Sequence, residues 1–396
     1  MSREVVVCSG VRTAIGTFGG SLKDIPPVDL GALVVKEALS RAGVEGKDVG
    51  HVVFGHVVNT EPRDMYLSRV AALNGGCPKE TPAMNVNRLC GSGLQAIVSA
   101  SQGILLGDYD VAIGGGCENM SRAPYASLAT RWGARMGDTK MVDMMVGALH
   151  DPFHTIHMGV TAENVAAEHG ISREAQDALA LESHQRAEKA WAEGRFKDQI
   201  VPVMLKSRKG EVAFEKDEHF RTGATLEDFQ KMKPVFLKEN GTVTAANASG
   251  INDAAAAVVL MEAGAAKARG ARPLARLVGY AHAGVEPKTM GIGPVPATQT
   301  LLKKLGMKID QMDVIEANEA FAAQALAVGT LLGWDWDRVN VNGGAIALGH
   351  PVGASGCRIL VTLLHEMERR GTNKGLATLC VGGGMGVSAA FERWDG

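Results

Sequence analysis

The sequence predicts a layered α/β fold made from two copies of one unit and interrupted by an insertion. Three observations carry that expectation. Short β-rich runs alternate with helical patterns of ten or more residues, as in sheets covered by helices. The same order of elements recurs in the two halves of the chain. Glycine supplies 49 of 396 residues, roughly 12% against a usual ~7%, and much of it sits at the joints between runs.

Taken in order, Glu4–Cys8 reads as a strand. In Asp29–Gly43, Leu30, Leu33, Val34, Ala38 and Leu39 keep the i, i+3, i+4 rhythm of an amphipathic helix, and Gly43 is its stop. His51–Gly55 is a strand, Gly93–Leu106 a helix and Val111–Gly114 a strand. The repeat is weak but visible. Ala38–Gly43 ahead of His51–Gly55 matches Leu301–Gly306 ahead of Asp313–Ala317. Gly91–Gly93 leading to Gly114–Gly116 matches Ala354–Gly356 leading to Gly382–Gly384. Duplication of one α/β unit is the economical reading, and convergent patterning is the plain alternative. Residues from about 120 to 246 fit neither half. This stretch, with the helical Ser172–Gly194 and the charged Lys206–Lys238, reads as an insertion emerging from the first half. Insertions over a rigid scaffold are where ligand contacts gather. Past Gly241 small apolar residues return, and Asn252–Met261 is expected to form a core helix.

Composition narrows the function classes. At ~150 residues per domain the length suggests two or three domains. Apolar residues make up 46% and charged residues 21%, which excludes a long disordered chain. Forty-one Lys+Arg against 43 Asp+Glu give a formal charge of −2, so no excess of positive charge points to nucleic acid. The apolar burst at the start is too short for a signal peptide. The longest apolar run, Ala254–Met261, falls far below the ~18 residues of a membrane span. Six cysteines without a Cys-x-x-Cys pair support neither a zinc ribbon nor a disulfide framework. A reducing cytoplasm is the expected compartment, with any functional cysteine acting as a thiol.

Four glycine-flanked polar sites stand out. In Asn85-Val-Asn-Arg-Leu-Cys90-Gly-Ser-Gly an extended run ends at Cys90 and a helix begins. A thiol at a helix N-terminus is favoured as thiolate, although a free cysteine also serves as a small buried hydrophobe. In Gly349-His350-Pro351-Val-Gly353-Ala-Ser-Gly356 a histidine lies among small residues, where imidazole is a natural base for a thiol. In Cys380-Val-Gly-Gly-Gly-Met-Gly386 a second thiol ends a strand beside open backbone N–H groups. In Glu316-Ala-Asn318-Glu319-Ala-Phe321 polar groups close a strand, where a helix cap is the bland reading. Cys, His and Asn on separate loops form the set that thiol acyl transfer needs: nucleophile, base and oxyanion donor. A second cysteine is surplus for hydrolysis and useful where a carbon acid must lose a proton.

These four motifs, in this order, resemble the thiolase family, and specifically its bacterial acetyl-CoA acetyltransferase/β-ketothiolase branch. The resemblance runs from about residue 4 to residue 393 and takes in Val7–Gly20, His157–Asn164 and Thr244–Asp253. It implies a duplicated α/β/α/β/α fold with a first half at 1–120 and 247–271. An inserted loop domain that binds coenzyme A would occupy 121–246, and a second half 272–396. It implies that Cys90 is acylated, that His350 takes its proton, and that Cys380 moves the α-proton of acetyl-CoA. Asn318 would orient a water in one oxyanion hole, while the N–H groups of Cys90 and Gly382 form the other. By motif match the coenzyme A contacts would be Leu149, His157, Met158, Arg221, Phe236, Ser249 and Phe321. No metal and no permanently bound cofactor are implied, with coenzyme A and acyl-CoA as substrates and a homotetramer of dimers as the assembly. His150, His154 and His157 have spacings that suit one helical face, but Pro152 interrupts them and no carboxylate set accompanies them, so a metal is not expected. Cys117 occupies a place usually held by Met or another uncharged residue, and its site is expected near the acyl pocket. Thr60–Tyr66 resembles β-ketothiolases that accept longer chains, so a five-carbon β-ketoacyl-CoA is expected as substrate beside acetoacetyl-CoA. The rival readings are a degradative 3-ketoacyl-CoA thiolase of longer chain preference, a decarboxylating ketoacyl synthase, a cysteine hydrolase and a non-catalytic acyl-CoA or lipid carrier. Cys380 argues against the synthase, and a carrier needs none of the three reactive groups.

Overall fold

The computed structural model describes residues 3–208 and 210–394. Met1, Ser2, Lys209, Asp395 and Gly396, which fall within the segments outlined above, lie outside the described residues. The main strands are β1 (Val5–Thr13), β2 (His51–Gly55), β3 (Ala83–Val86), β4 (Val111–Asn119) and β5 (Asn252–Glu262) in the first half. The second half supplies β6 (Ala275–Gly284), β7 (Val314–Ala317), β8 (Lys374–Val381) and β9 (Met385–Glu392). With two short strands alongside they form an eleven-stranded path whose main order is β7-β8-β9-β6-β1-β5-β4-β2-β3.

The pairing scheme confirms the duplication. In the first half β2 runs parallel to β4, β4 antiparallel to β5, and β5 antiparallel to β1. In the second, β7 runs parallel to β8, β8 antiparallel to β9, and β9 antiparallel to β6. The half-sheets meet where β1 pairs with β6 at Val6–Arg276 and Val7–Ala275. Helices complete the layers: α1 (Pro27–Ala42), α2 (Ser92–Leu106), α3 (Met158–His169), α4 (Arg173–Ala192), α5 (Pro294–Leu305), α6 (Ala322–Leu332) and α7 (Val352–Arg370). α2 and α7 pack on each other, and α7 touches strands of both half-sheets, while α1 and α5 cover the outer faces. The result is helix, sheet, helix pair, sheet, helix. The central layer is the driest: Leu94, Ile97, Leu360, Val361 and Leu363 are fully buried there with strand residues of both halves. Each such side chain contributes ~1.5–3 kcal/mol by leaving water. The stretch Leu89–Leu106, apolar and long enough by composition to cross a membrane, is this core helix and its lead-in.

Asn252–Met261 is a correction. The expected core helix is β5, a central strand buried over nearly its whole length. A strand covered on both faces shows no alternation, so its unbroken apolar run reads like a buried helix. The small Ala256 and Ala257 pair with Gly116 and Gly115 of β4 across the ladder, and Ala254 and Ala255 pair with Glu118 and Cys117. Close helix packing on both faces rewards that lack of bulk.

Candidate active site

Cys90 sits where β3 gives way to α2. The preceding Leu89 holds φ 44°, a left-handed conformation that costs a non-glycine residue energy. Ser92 holds the turn: its Oγ accepts from the Arg88 N–H at 2.8 Å and donates to the Leu89 carbonyl at 2.6 Å. Burial pushes the Cys90 thiol up to about 11, against the lowering effect of the N–H groups of Gly382 and of Cys90 itself. The expected thiolate-favouring helix terminus is therefore outweighed, and the resting sulfur carries its proton. The same hydrogen bonds put the Gly382 and Cys90 N–H groups at the sulfur.

His350 follows Gly349, whose φ of +110° suits glycine and where a Cβ would lie 2.5 Å from the Asn252 side chain. The His350 N–H donates to Asn252 Oδ1 at 2.9 Å. Its Nδ1 lies 2.6 Å from Ser355 Oγ, which in turn donates to the Pro351 carbonyl at 2.9 Å. A hydroxyl has one proton, so Ser355 accepts from Nδ1–H, and Nε2 carries the lone pair. Asn318 Nδ2 lies 3.4 Å from that Nε2. Burial, reinforced by the Arg358 charge, drops the imidazole to about 3, so it is a neutral acceptor at physiological pH. Asn318 directly follows β7, and its Oδ1 has no hydrogen-bond partner among the described residues.

Cys380 lies near the end of β8, opposite Gly386 of β9, and is fully buried. Burial raises its thiol, and a charge on Cys90 raises it further, which places the two sulfurs within electrostatic reach. Around it pack Met158, Met290 and Phe321. These three, with Cys90 and His350, line one cavity of about 590 Å³ whose walls are mostly apolar.

Of the expected coenzyme A contacts, Leu149, His157, Met158, Phe236, Ser249 and Phe321 all line this cavity. His157 caps α3 by accepting the Gly159 N–H at 3.0 Å and stacks on Phe236 at 4.8 Å. Ser249 donates its hydroxyl to the Ala320 carbonyl at 2.9 Å. Arg221 does not line it. It is exposed, its guanidinium 5.9 Å from the Phe229 ring and its N–H on His184. The neighbouring His219 lines the wall instead. His150, His154 and His157 do not share a helical face. His150 Nδ1 faces the Val146 carbonyl and His154 faces Glu286, and no group of three metal-binding side chains occurs among the described residues.

Cys117 is a second correction. It lies inside β4, fully buried, with its sulfur 3.0 Å from the Pro27 carbonyl under α1, away from the cavity. Strand alternation turns it to the other face, and Met120, just past the strand, lines the cavity beside Cys90. Sequence reasoning also missed Phe18, His219, Met290 and Val352 on the cavity wall, and Asn252 and Ser355 on His350. For Ser355 a signal existed: a hydroxyl five residues after the histidine, in the first turns of α7.

Comparison with known proteins agrees with this geometry. The family model "Thiolase, N-terminal domain" matches residues 5–264 and "Thiolase, C-terminal domain" matches residues 271–393. The chain is 67% identical over 393 residues to beta-ketothiolase BktB of Cupriavidus necator, covering 99% of this chain and all of that protein. It is 55% identical over 392 residues to an acetyl-CoA acetyltransferase of the same organism, covering 98% and 99%. Among solved structures, the Bacillus anthracis acetyl-CoA acetyltransferase superposes with TM-score 0.96 at 48% identity, covering 99% of each chain. Human mitochondrial 3-ketoacyl-CoA thiolase superposes with TM-score 0.97 at 45% identity, again over 99% of each. With both family domains matched in order along nearly the whole length, the chain belongs to the thiolase family.

Proposed function

We propose that the chain is an acetyl-CoA acetyltransferase and β-ketothiolase that works through a Cys90 acyl-enzyme. One observation carries the reading: a thiol and a neutral imidazole whose Nε2 is an acceptor open into the same apolar cavity, with the Gly382 N–H at the sulfur. His350 Nε2 accepts the Cys90 proton as the sulfur adds to the thioester carbonyl. The N–H groups of Cys90 and Gly382 receive the charge that builds on oxygen. Collapse of the adduct expels coenzyme A thiolate, which takes the proton back from His350 and leaves as free thiol. Acetyl-CoA then enters, and Cys380, its own proton passed to His350 Nε2, removes an α-proton. The carbanion attacks the acyl carbonyl, the Cys90 thiolate departs and takes that proton from His350, and a 3-ketoacyl-CoA is released. Asn318, beside His350 Nε2, serves the enolate oxygen in this step. Run backwards, the sequence is thiolysis.

The inserted segment 121–246 supplies the coenzyme A clamp in this proposal, with Leu149, His157, Met158 and Phe236 joined by Ser249 and Phe321 from outside it. Exposed Arg221 is assigned to the nucleotide phosphate at the mouth. Large apolar side chains stand exposed on the same segment, among them Leu128, Trp132, Met136 and Met141. Such a patch supports self-assembly, here a homotetramer. The test is direct: mix the protein with acetoacetyl-CoA and free coenzyme A and follow loss of the enolate absorbance. Turnover that disappears in Cys90→Ala supports the reading. Release of free acid in place of acetyl-CoA would make the protein a hydrolase.

A further inference from the structure

A buried carboxylate joins the two sides of the cavity. Glu118, near the end of β4, has no solvent exposure. Its Oε2 accepts from the Val57 N–H at 3.0 Å and from the Gly353 N–H at 2.9 Å. Its Oε1 accepts from the Val58 N–H at 3.1 Å and lies 3.3 Å from His56 Nδ1. Val57 and Val58 follow β2, and Val57 packs in one cluster with Cys90, Met120 and Val352. Gly353 lies in the first turn of α7, three residues after His350 and two before Ser355.

That turn has no cap of its own. Pro351, at the N-cap position, makes no side-chain hydrogen bond to α7, so the first N–H groups of a 19-residue helix need an acceptor from elsewhere. Glu118 supplies one across 235 residues of sequence, and a negative charge at a helix N-terminus is electrostatically matched. The fit leaves no slack. A Cβ at Gly353 would lie 2.6 Å from Glu118 Oε2, and one at Gly116 would lie 2.2 Å from the Gly353 carbonyl. His350 is thus fixed from three directions: Asn252 on its N–H, Ser355 on its ring, and Glu118 on the turn that carries Ser355.

We propose that Glu118 is a positioning residue that sets the approach of the His350 base to the Cys90 thiol, by holding the Val57–Val58 segment behind Cys90 and the Gly353 turn behind His350 on one carboxylate. The inference rests on the base role proposed for His350. Glutamine at position 118 keeps the shape, but its amide places a donor against backbone N–H donors. One of the three ties is then lost and the turn shifts.

The experiment is a double-mutant cycle on Cys90 acylation by acetyl-CoA, followed by protein mass, with Glu118→Gln, His350→Ala and the pair. Glu118→Gln is expected to slow acylation 30- to 300-fold, leaving the KM for acetoacetyl-CoA within threefold. In the His350→Ala background the same change is expected to cost less than threefold, because no base remains to misplace. Alkylation of Cys90 by iodoacetamide at pH 10, where hydroxide supplies the base, is expected to match wild type. An equal loss with and without His350, or wild-type acylation in Glu118→Gln, overturns the proposal. Should Glu118→Gln fail to fold, His56→Gln runs through the same cycle. It removes the imidazole at Oε1 and keeps all three N–H ties, with a loss of at least threefold expected only when His350 is present. Failure of the underlying reading looks different: His350→Ala alone would then acylate at the wild-type rate.

Discussion

Ser355 Oγ lies 2.6 Å from His350 Nδ1 and spends its own proton on the Pro351 carbonyl. That relationship fixes the imidazole tautomer, and with it the nitrogen that faces the cavity. Ser355→Ala removes the acceptor and lets the ring adopt the other tautomer, with Nε2 protonated. A fall in kcat of about 10- to 100-fold is expected, with KM changed little, on the scale of losing a well-placed base. Steady-state kinetics with acetoacetyl-CoA and coenzyme A check it. Unchanged kcat would show that the tautomer is set elsewhere.

The resting pair is expected to be neutral. Burial holds the His350 imidazole at about 3 and the Cys90 thiol at about 11. A base with a depressed pKa is uncharged above that value, and an acid with a raised one keeps its proton below it. Across pH 7–9 the sites therefore stay as imidazole and thiol, and the thiolate fraction grows tenfold per pH unit. Alkylation of Cys90 by iodoacetamide should climb log-linearly through that range. A plateau below pH 8 would identify a thiolate–imidazolium pair instead.

Cys380 packs behind Met158, Met290 and Phe321 on the cavity that Cys90 lines, and the proposal gives the two thiols different steps. Cys380→Ser keeps size and weakens the acid–base group, since an alcohol ionises far less readily than a thiol. Single-turnover acylation of Cys90 by acetyl-CoA is expected within about tenfold of wild type. Carbon–carbon bond formation is expected to fall by 10²-fold or more, the range of a lost general base. Equal loss in both steps would remove the role given to Cys380.

Much of this site was legible in the sequence because its reactive groups stand at chain joints, where glycine on both sides of His350 and just after Cys90 and Cys380 marks a tight turn. The duplicated order of elements was legible for the same reason. What escaped were contacts that no spacing encodes. Glu118 meets Gly353, Asn252 meets His350, and His219 joins Phe18 on the cavity wall only after both half-sheets and the insertion have come together. β5 was misread because burial on both faces erases the period that separates strand from helix. Cys117 was expected at the acyl pocket from the family resemblance, and the alternation of side chains along β4 turns it away.

Arg358 of α7 and Glu316 of β7 form a buried pair, 3.7 Å at the closest approach, behind Ser355 and Asn318. Burial lifts the Glu316 carboxyl to about 8, with Arg358 opposing the rise. Neither the guanidinium nor the carboxylate has a hydrogen-bond partner among the described residues. At about pH 9, where Glu316 is ionised, removing it strands the Arg358 charge, so Glu316→Leu should lower unfolding stability by ~3–5 kcal/mol. Arg358→Met with Glu316→Leu should recover at least half of that loss. Urea unfolding of the two variants checks the pair. No recovery in the double variant would mean that each residue acts through separate neighbours.

Chain-length preference should follow Met120 and not Cys117. Met120 lines the cavity in a cluster with Cys90 and Val352, whereas Cys117 packs under α1. A pocket that gains or loses one methylene changes discrimination by ~1–3 kcal/mol, and Met→Ala removes more than one heavy atom from the acyl end. A five-carbon 3-ketoacyl-CoA is expected to be cleaved alongside acetoacetyl-CoA by the unaltered protein. In Met120→Ala, the kcat/KM for a six-carbon substrate relative to acetoacetyl-CoA should rise at least threefold. In Cys117→Ala the same ratio should stay within twofold of wild type, although stability falls by ~1 kcal/mol for the small cavity left in the core. Thiolysis rates over the four-, five- and six-carbon series measure all of this at once. A larger shift from Cys117→Ala than from Met120→Ala would place the acyl group on the other face of β4, and the arrangement of the cavity around Cys90 would have to be redrawn.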